Sequence, residues 1–404
     1  MNNNYLNLNN NFNTEYYDFE TIEYLLKNNN LVNFKNNNFK NNNFKNNNFK
    51  NNKKQFGKIT LEASELRSFI TKIIFKEPII YNIILKCVYD FQLEINKINE
   101  YREKNNLFKF YVKGNMALLI NLLNIGHYKG LNDENIKFDP SDIDTNLFID
   151  ISSKEGVHIE NISKSLSQRL FYKYRRALES NEEFIEYLSN NVVDIGNNEI
   201  SELKKKYKIK SIRKIKTEDR LMYKKKDFVS RWKTKFDDNK HNIMISFNET
   251  IESFLLYRLF VPYLVEFEDS TKKVINAELI DLSIVRIDPN LSLYNSIESK
   301  NKIYDDINTV LKCVKNDNVL PNFTNKYHLE QLLWDKIIND GERYIINITY
   351  SDLKINYASL YYLLFEYCLI LINDPTDIKN NSKIEKIKLI LDIFKNHLKI
   401  ELKL

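Results

Sequence analysis

Two aspartates spaced two residues apart, Asp142 and Asp144, open the segment PSDIDTNLFID, Pro140 to Asp150. Strand alternation puts Asp142, Asp144 and Asn146 on one face, and Ile143, Leu147 and Ile149 on the other. Two neighbouring carboxylates repel unless a cation lies between them. Hard divalent ions such as Mg²⁺ or Mn²⁺ take oxygen ligands, and nucleotide phosphates supply the remainder. A third acid, Asp281, lies between Ile280 and Leu282 in the strand-like AELIDLSI. Glu278 is the alternative, but regular alternation points it to the face opposite Asp281. Metals held by three such acids can activate a hydroxyl and steady a leaving pyrophosphate in an in-line displacement. The plainer reading of an isolated Asp-x-Asp is an exposed strand face, so the surrounding elements must decide.

Upstream, LFKFYVKGNMALLINLLNIG reads as a strand, a tight turn and a helix, with Gly114 and Asn115 at the turn. A glycine there lets the backbone approach a phosphate, and the helix start offers N–H donors. Asn115 can donate a hydrogen bond to phosphate. Lys113, before the glycine, reads either as a phosphate contact or as a solvated flank.

This order resembles the nucleotidyltransferase superfamily typified by DNA polymerase β: glycine turn and helix, Asp-x-Asp strand, third carboxylate on a neighbouring strand. Within it the layout is most similar to the poly(A) polymerases of poxviruses and giant DNA viruses. The similarity is carried by YVKGN, SDIDTNLFI, AELIDLSI and a lysine-rich helical tail, and covers Phe108 to Asp288 best. Three features depart from the family pattern. The turn is Gly114-Asn115 instead of Gly-Ser or Gly-Gly, the interval from Gly114 to Asp142 is longer and holds the loop NIGHYKGLNDENIKFDP, and a long insertion precedes Asp281. The resemblance implies an α+β fold, a mixed sheet with flanking helices plus helical N-terminal and C-terminal regions. It also implies a template-independent enzyme that transfers AMP from ATP to RNA 3′ ends with Mg²⁺ or Mn²⁺. Asp142, Asp144 and Asp281 would be metal ligands and catalytic, and Lys113, Gly114, Asn115 and Ser141 would hold the triphosphate. A homodimer or a processivity subunit is compatible with it, as is a viral replication site or virion.

The implied organisation is an Asn-rich segment (1–55), an N-terminal helical region (56–105), a nucleotidyltransferase core (106–295) with a basic helical insertion (157–240), and a C-terminal helical domain (296–404). In the first segment Phe34, Phe39, Phe44 and Phe49 recur every five residues, which is neither a helical nor a strand period, so disorder is expected. A short helix is expected before it, in YYDFETIEYLLKNNN. Two helices should precede the glycine turn, with Pro78 marking the break between them or the start of the second. NIMISFNET, FLLYRLFVPYLVEF and VINAELIDLSIVRID read as strands. Ser382 and Glu385 fit a capping box for a last helix with an apolar stripe through Ile384, Ile387, Leu391, Phe394 and Leu398.

Of 404 residues 43% are hydrophobic, and the net charge is only +6, so overall charge does not mark a nucleic-acid binder. The local cluster from Lys204 to Phe236 does more. It interleaves Tyr207, Tyr223, Phe228 and Trp232 with basic residues, among them Lys224, Lys225, Lys226 and Arg231. Phosphate attraction plus base stacking is how single strands are held without sequence preference. A solvated charged helix is the competing reading. Three scattered cysteines exclude a disulfide or zinc framework. The run YASLYYLLFEYCLILI is short for a membrane span and contains Glu366, so an intracellular, cytoplasmic protein is expected. Two rival functions stay open: nucleotide transfer to a small molecule or protein, and an inactive RNA-binding or assembly subunit.

Overall fold

Helix α1 (Leu61–Phe75) is followed by α2 (Pro78–Tyr101), whose first residue is the proline. A proline costs no hydrogen bond there, because the first N–H groups of a helix have no internal acceptor. The computed structural model describes residues 61–75, 78–101, 108–129, 142–150, 154–190, 198–215, 233–236, 243–249, 254–287, 297–350, 352–375 and 380–398. All belong to one unit, Gly57–Leu404. The pentad repeat and the expected N-terminal short helix lie outside them.

Strand β1 (Phe108–Lys113) leads through Gly114, at φ +68°, into α3 (Gly114–Asn124), as its sequence predicts. Then come β2 (Ile143–Asp150), α4 (Lys154–Glu179), α5 (Glu182–Asn190) and α6 (Asn198–Tyr207). Strands β3 (Ile209–Lys214) and β4 (Lys233–Phe236) follow, so the segment read as a helical insertion also carries two strands. The three predicted strands are β5 (Met244–Glu249), β6 (Phe254–Phe267) and β7 (Lys272–Ile287). The tail holds α7 (Ile297–Lys315), α8 (Leu329–Asn339), the single turn α9 (Gly341–Tyr344), β8 (Ile345–Tyr350), β9 (Leu353–Ala358), α10 (Leu360–Asn373) and α11 (Asn380–Asp392). A π-helical turn, Ile393–His397, continues α11. Ser382 therefore lies inside α11 and is not its N-cap; the capping-box signal misplaced the helix start.

The strands form one mixed sheet in the order β4-β5-β6-β7-β2-β1-β9-β8, with β3 also paired to β6. β1 runs antiparallel to β2, and β2 parallel to β7. β9 joins β1 in parallel, so a hairpin from the tail extends the sheet, an addition to its mostly helical reading. Helices cover both faces. On one face Tyr111 meets Tyr362 of α10 and Phe148 meets Trp334 of α8. On the other, Phe110 meets Phe91 of α2, and Arg286 is held by Glu160 of α4 at 3.0 and 2.6 Å.

Helix α10 is the long apolar run, and nearly all of it is buried. Its 14 residues fall short of the roughly 20 needed to span a bilayer. Each fully buried Leu or Phe contributes about 1.5–3 kcal/mol, so packing explains its hydrophobicity. Ser359 caps it, accepting from the Tyr362 N–H at 3.2 Å. Among the described residues no helix is long and apolar enough to cross a membrane.

Candidate metal centre

Strand pairing sets Lys113 opposite Asp144, Asp144 opposite Asp281, and Asp281 opposite Arg258. Directly paired residues share a face, so β1, β2, β7 and β6 present one row: cation, acid, acid, cation. Asp142 stands just before β2, two residues from Asp144, and one carboxylate oxygen from each of Asp142, Asp144 and Asp281 lies within 4.8 Å of the others. The sequence-predicted trio is thus brought together, through a parallel register that neighbouring residues alone do not encode. The Thr145 hydroxyl pins that register, donating to the Asp281 carbonyl at 3.0 Å.

These residues fit a hard divalent cation. The donors are all carboxylate oxygens, and Asp281 Oδ1 is buried without a hydrogen bond although Arg258 Nε lies 3.0 Å away. Gly114 belongs to the same construction. A Cβ there would lie 2.5 Å from Asp144 Oδ2, and φ +68° is strained for any side chain. The glycine therefore both turns the chain and leaves the volume the Asp144 carboxylate occupies.

Glu278 corrects the alternation argument. Along the β6–β7 ladder Leu259 pairs with Ile280 but Phe260 pairs with Glu278, so Leu279 is an extra residue, a β-bulge. The bulge rotates Glu278 onto the same face as Asp281. Arg258 confirms it by bridging both acids, at 3.1 Å to Glu278 and 3.0 Å to Asp281. Arg67 of α1 holds the other Glu278 oxygen at 2.8 Å. Glu278 is therefore a buried neighbour of the trio, engaged by two arginines.

Burial, then the Asp144 and Asp281 charges, hold the Asp142 carboxyl well above the usual carboxylate range. Burial also raises Asp144, against the pull of the Lys113 ammonium. Asp281 is pushed well up by burial and by Glu278, with Arg258 opposing. Three acids that resist ionising together are what a divalent cation relieves.

Burial alone would depress the Lys113 ammonium, but Glu366 and then Asp144 outweigh it and hold its pKa above the ordinary value. Lys113 Nζ lies 3.4 Å from Glu366, which is buried in α10. It is a half-buried member of the site and not a solvated flank. Tyr111, two residues earlier, meets the Tyr362 hydroxyl at 2.9 Å and accepts from Asn146 at 3.4 Å. One helical turn of α10, Tyr362 to Glu366, thus tracks two residues of β1, Tyr111 to Lys113. At the turn, Asn115 Oδ1 accepts from Lys386 of α11.

Ser141 and the cluster residues Lys224, Lys225, Lys226, Arg231 and Trp232 lie outside the described residues. The described start of that cluster is partly committed elsewhere: Lys206 pairs with Glu65 at 2.7 Å and Lys210 with Glu266 at 3.1 Å. Sequence reasoning missed Arg258, Arg67 and Lys386 and left Glu366 without a role. Two of these carried a signal, since Arg258 and Glu366 are lone charges within apolar runs, and a buried charge requires a partner. Lys386 and Arg67 carried none. No protein-family model matches the chain, and no curated protein or solved structure is significantly similar to it.

Proposed function

We propose that this protein is a divalent-metal-dependent nucleotidyltransferase, and most concretely a template-independent enzyme that adds AMP from ATP to RNA 3′ ends. The observation that carries the reading is the register Asp144↔Asp281, which gathers three carboxylates beside a positive-φ glycine turn. The order of strand, glycine turn, helix, Asp-x-Asp strand and third acidic strand resembles that of polymerase β-like enzymes. The RNA acceptor is supported by the basic, aromatic-interleaved sequence between the second and third acids.

Asp142 and Asp144 would hold Mg²⁺ or Mn²⁺ against the triphosphate, and Asp281 would hold the ion nearest the attacking hydroxyl and help remove its proton. The bound ions would supply charge neutralisation at the attacking and leaving oxygens. Attack by the primer 3′ oxygen on the α-phosphorus forms one P–O bond as the bond to pyrophosphate breaks. Lys113, kept charged by Glu366 and Asp144, would offset the phosphate charge.

The test is incubation with labelled RNA, Mg²⁺ or Mn²⁺, and each nucleoside triphosphate in turn. Extension by AMP is expected, and Asp144→Ala should abolish it. Incorporation of AMP without RNA would move the acceptor to a protein or small molecule. RNA binding with no metal-dependent turnover would leave a non-catalytic subunit and defeat the proposal.

A further inference from the structure

The two carboxylate oxygens of Asp281 meet different surroundings. Arg258 Nε donates to Oδ2 at 3.1 Å. Oδ1 lies 3.0 Å from the same nitrogen, yet it is buried and receives no hydrogen bond. Arg258 is itself fixed, because its Nη1 reaches Glu278 Oε1 at 3.1 Å. The other Glu278 oxygen accepts from Arg67 Nη1 of α1 at 2.8 Å. The Leu279 bulge turns Glu278 into this chain, and both acids are buried. The backbone of Asp281 is pinned separately, through its carbonyl, by the Thr145 hydroxyl at 3.0 Å. Main chain and side chain of Asp281 are thus both held, and a single oxygen is left without a donor. A planar guanidinium can serve two acceptors in a fixed geometry, which a lysine ammonium does not.

We infer that Arg258 is a positioning residue: it turns Asp281 so that one oxygen, Oδ1, is offered to a divalent cation, and this selects small ions such as Mg²⁺ and Mn²⁺ over Ca²⁺. The inference rests on the reading of Asp142, Asp144 and Asp281 as a cation site. A small ion such as Mg²⁺ demands a compact octahedral shell, to which a carboxylate gives one oxygen. Ca²⁺ takes more ligands at longer range and accepts both oxygens of one carboxylate. With Oδ2 occupied by Arg258, Asp281 does not grip an ion with both. Glu278 and Arg67 act one step further out, by holding the guanidinium where it meets Asp281.

Titration of the full chain with Mn²⁺, followed by the electron paramagnetic resonance of the free ion and repeated in competition with Ca²⁺, gives the ratio of the two affinities. The ratio is the informative readout, because the two ions carry the same charge and a changed protein charge largely cancels from it. The wild-type chain is expected to prefer Mn²⁺. Arg258→Met should cut that preference by about tenfold or more. Arg258→Lys keeps the cation but loses the planar fork, and should cut it as well. Because it keeps a cation beside both acids, this variant carries the test even where Arg258→Met does not fold. A merely structural or electrostatic Arg258 would leave the ratio unchanged in Arg258→Lys. That result would overturn the inference, as would absent Mn²⁺ binding or a wild-type chain that binds Ca²⁺ as tightly as Mn²⁺. Primer extension on the same samples separates the two ideas. An Arg258-dependent preference without turnover keeps the positioning role and retires the transfer reading; turnover with an Arg258-independent preference does the opposite.

Discussion

Asp142 concentrates the tension of the site: it is half-buried, and both Asp144 and Asp281 oppose its ionisation. A carboxyl raised in the native state binds more protons folded than unfolded, so in the metal-free protein Asp142 contributes stability at low pH that is lost as pH rises. The loss begins near the ordinary Asp value of about 3.9 and continues through the raised native values. Asp142→Asn should flatten that decline, raise the metal-free melting temperature at pH 7, and lower transfer by at least about a hundredfold. Chemical denaturation across pH with EDTA checks the stability half, and a melting temperature below wild type at pH 7 would refute it. Gly114→Ala should be costly in both respects. Its Cβ would press on Asp144 Oδ2, and the left-handed backbone alone costs about 1–2 kcal/mol. A variant with normal stability and activity would show that the glycine turn is not needed.

At the scale of elements, the site is where four strands and two tail helices agree. The acids themselves were legible, because Asp-x-Asp before an apolar strand and Ile-Asp-Leu within another are local patterns. Glu278 was not, because a single extra residue, Leu279, reverses the face that alternation assigns. A bulge is a property of two paired strands and cannot be counted from one. The β8–β9 hairpin escaped for a related reason: its place beside β1 is fixed by a parallel pairing with a strand more than two hundred residues away in sequence. The Glu278 bridge predicts a measurable coupling. Glu278→Gln removes one charge from the pair that holds Arg258, leaving Arg258 to bind Asp281 alone, and should weaken divalent-metal affinity by about 10–100-fold. Unchanged affinity by calorimetry would make Glu278 a bystander. Lys113→Met leaves Glu366 buried beside an apolar chain and should cost about 3–5 kcal/mol, with part recovered in Lys113→Met/Glu366→Gln. Urea denaturation of both variants measures the difference, and a double variant less stable than Lys113→Met would contradict the pairing.

In the unit that carries the acids, the tail extends the sheet with its hairpin and packs its helices against one face. Folding that brings Asp144 and Asp281 into register also brings Glu366 to Lys113 and Lys386 to Asn115. The tail is therefore part of the site and not an appendage to it. The central claim is that Asp142, Asp144 and Asp281 together hold a divalent cation, and Mn²⁺ reports this directly. Titration of the wild-type chain and of Asp144→Asn with Mn²⁺, following the electron paramagnetic resonance signal of the free ion, is the decisive measurement. The predicted result is saturable binding to the wild-type chain that weakens by more than about tenfold in Asp144→Asn. Equal Mn²⁺ binding by the two proteins would contradict it.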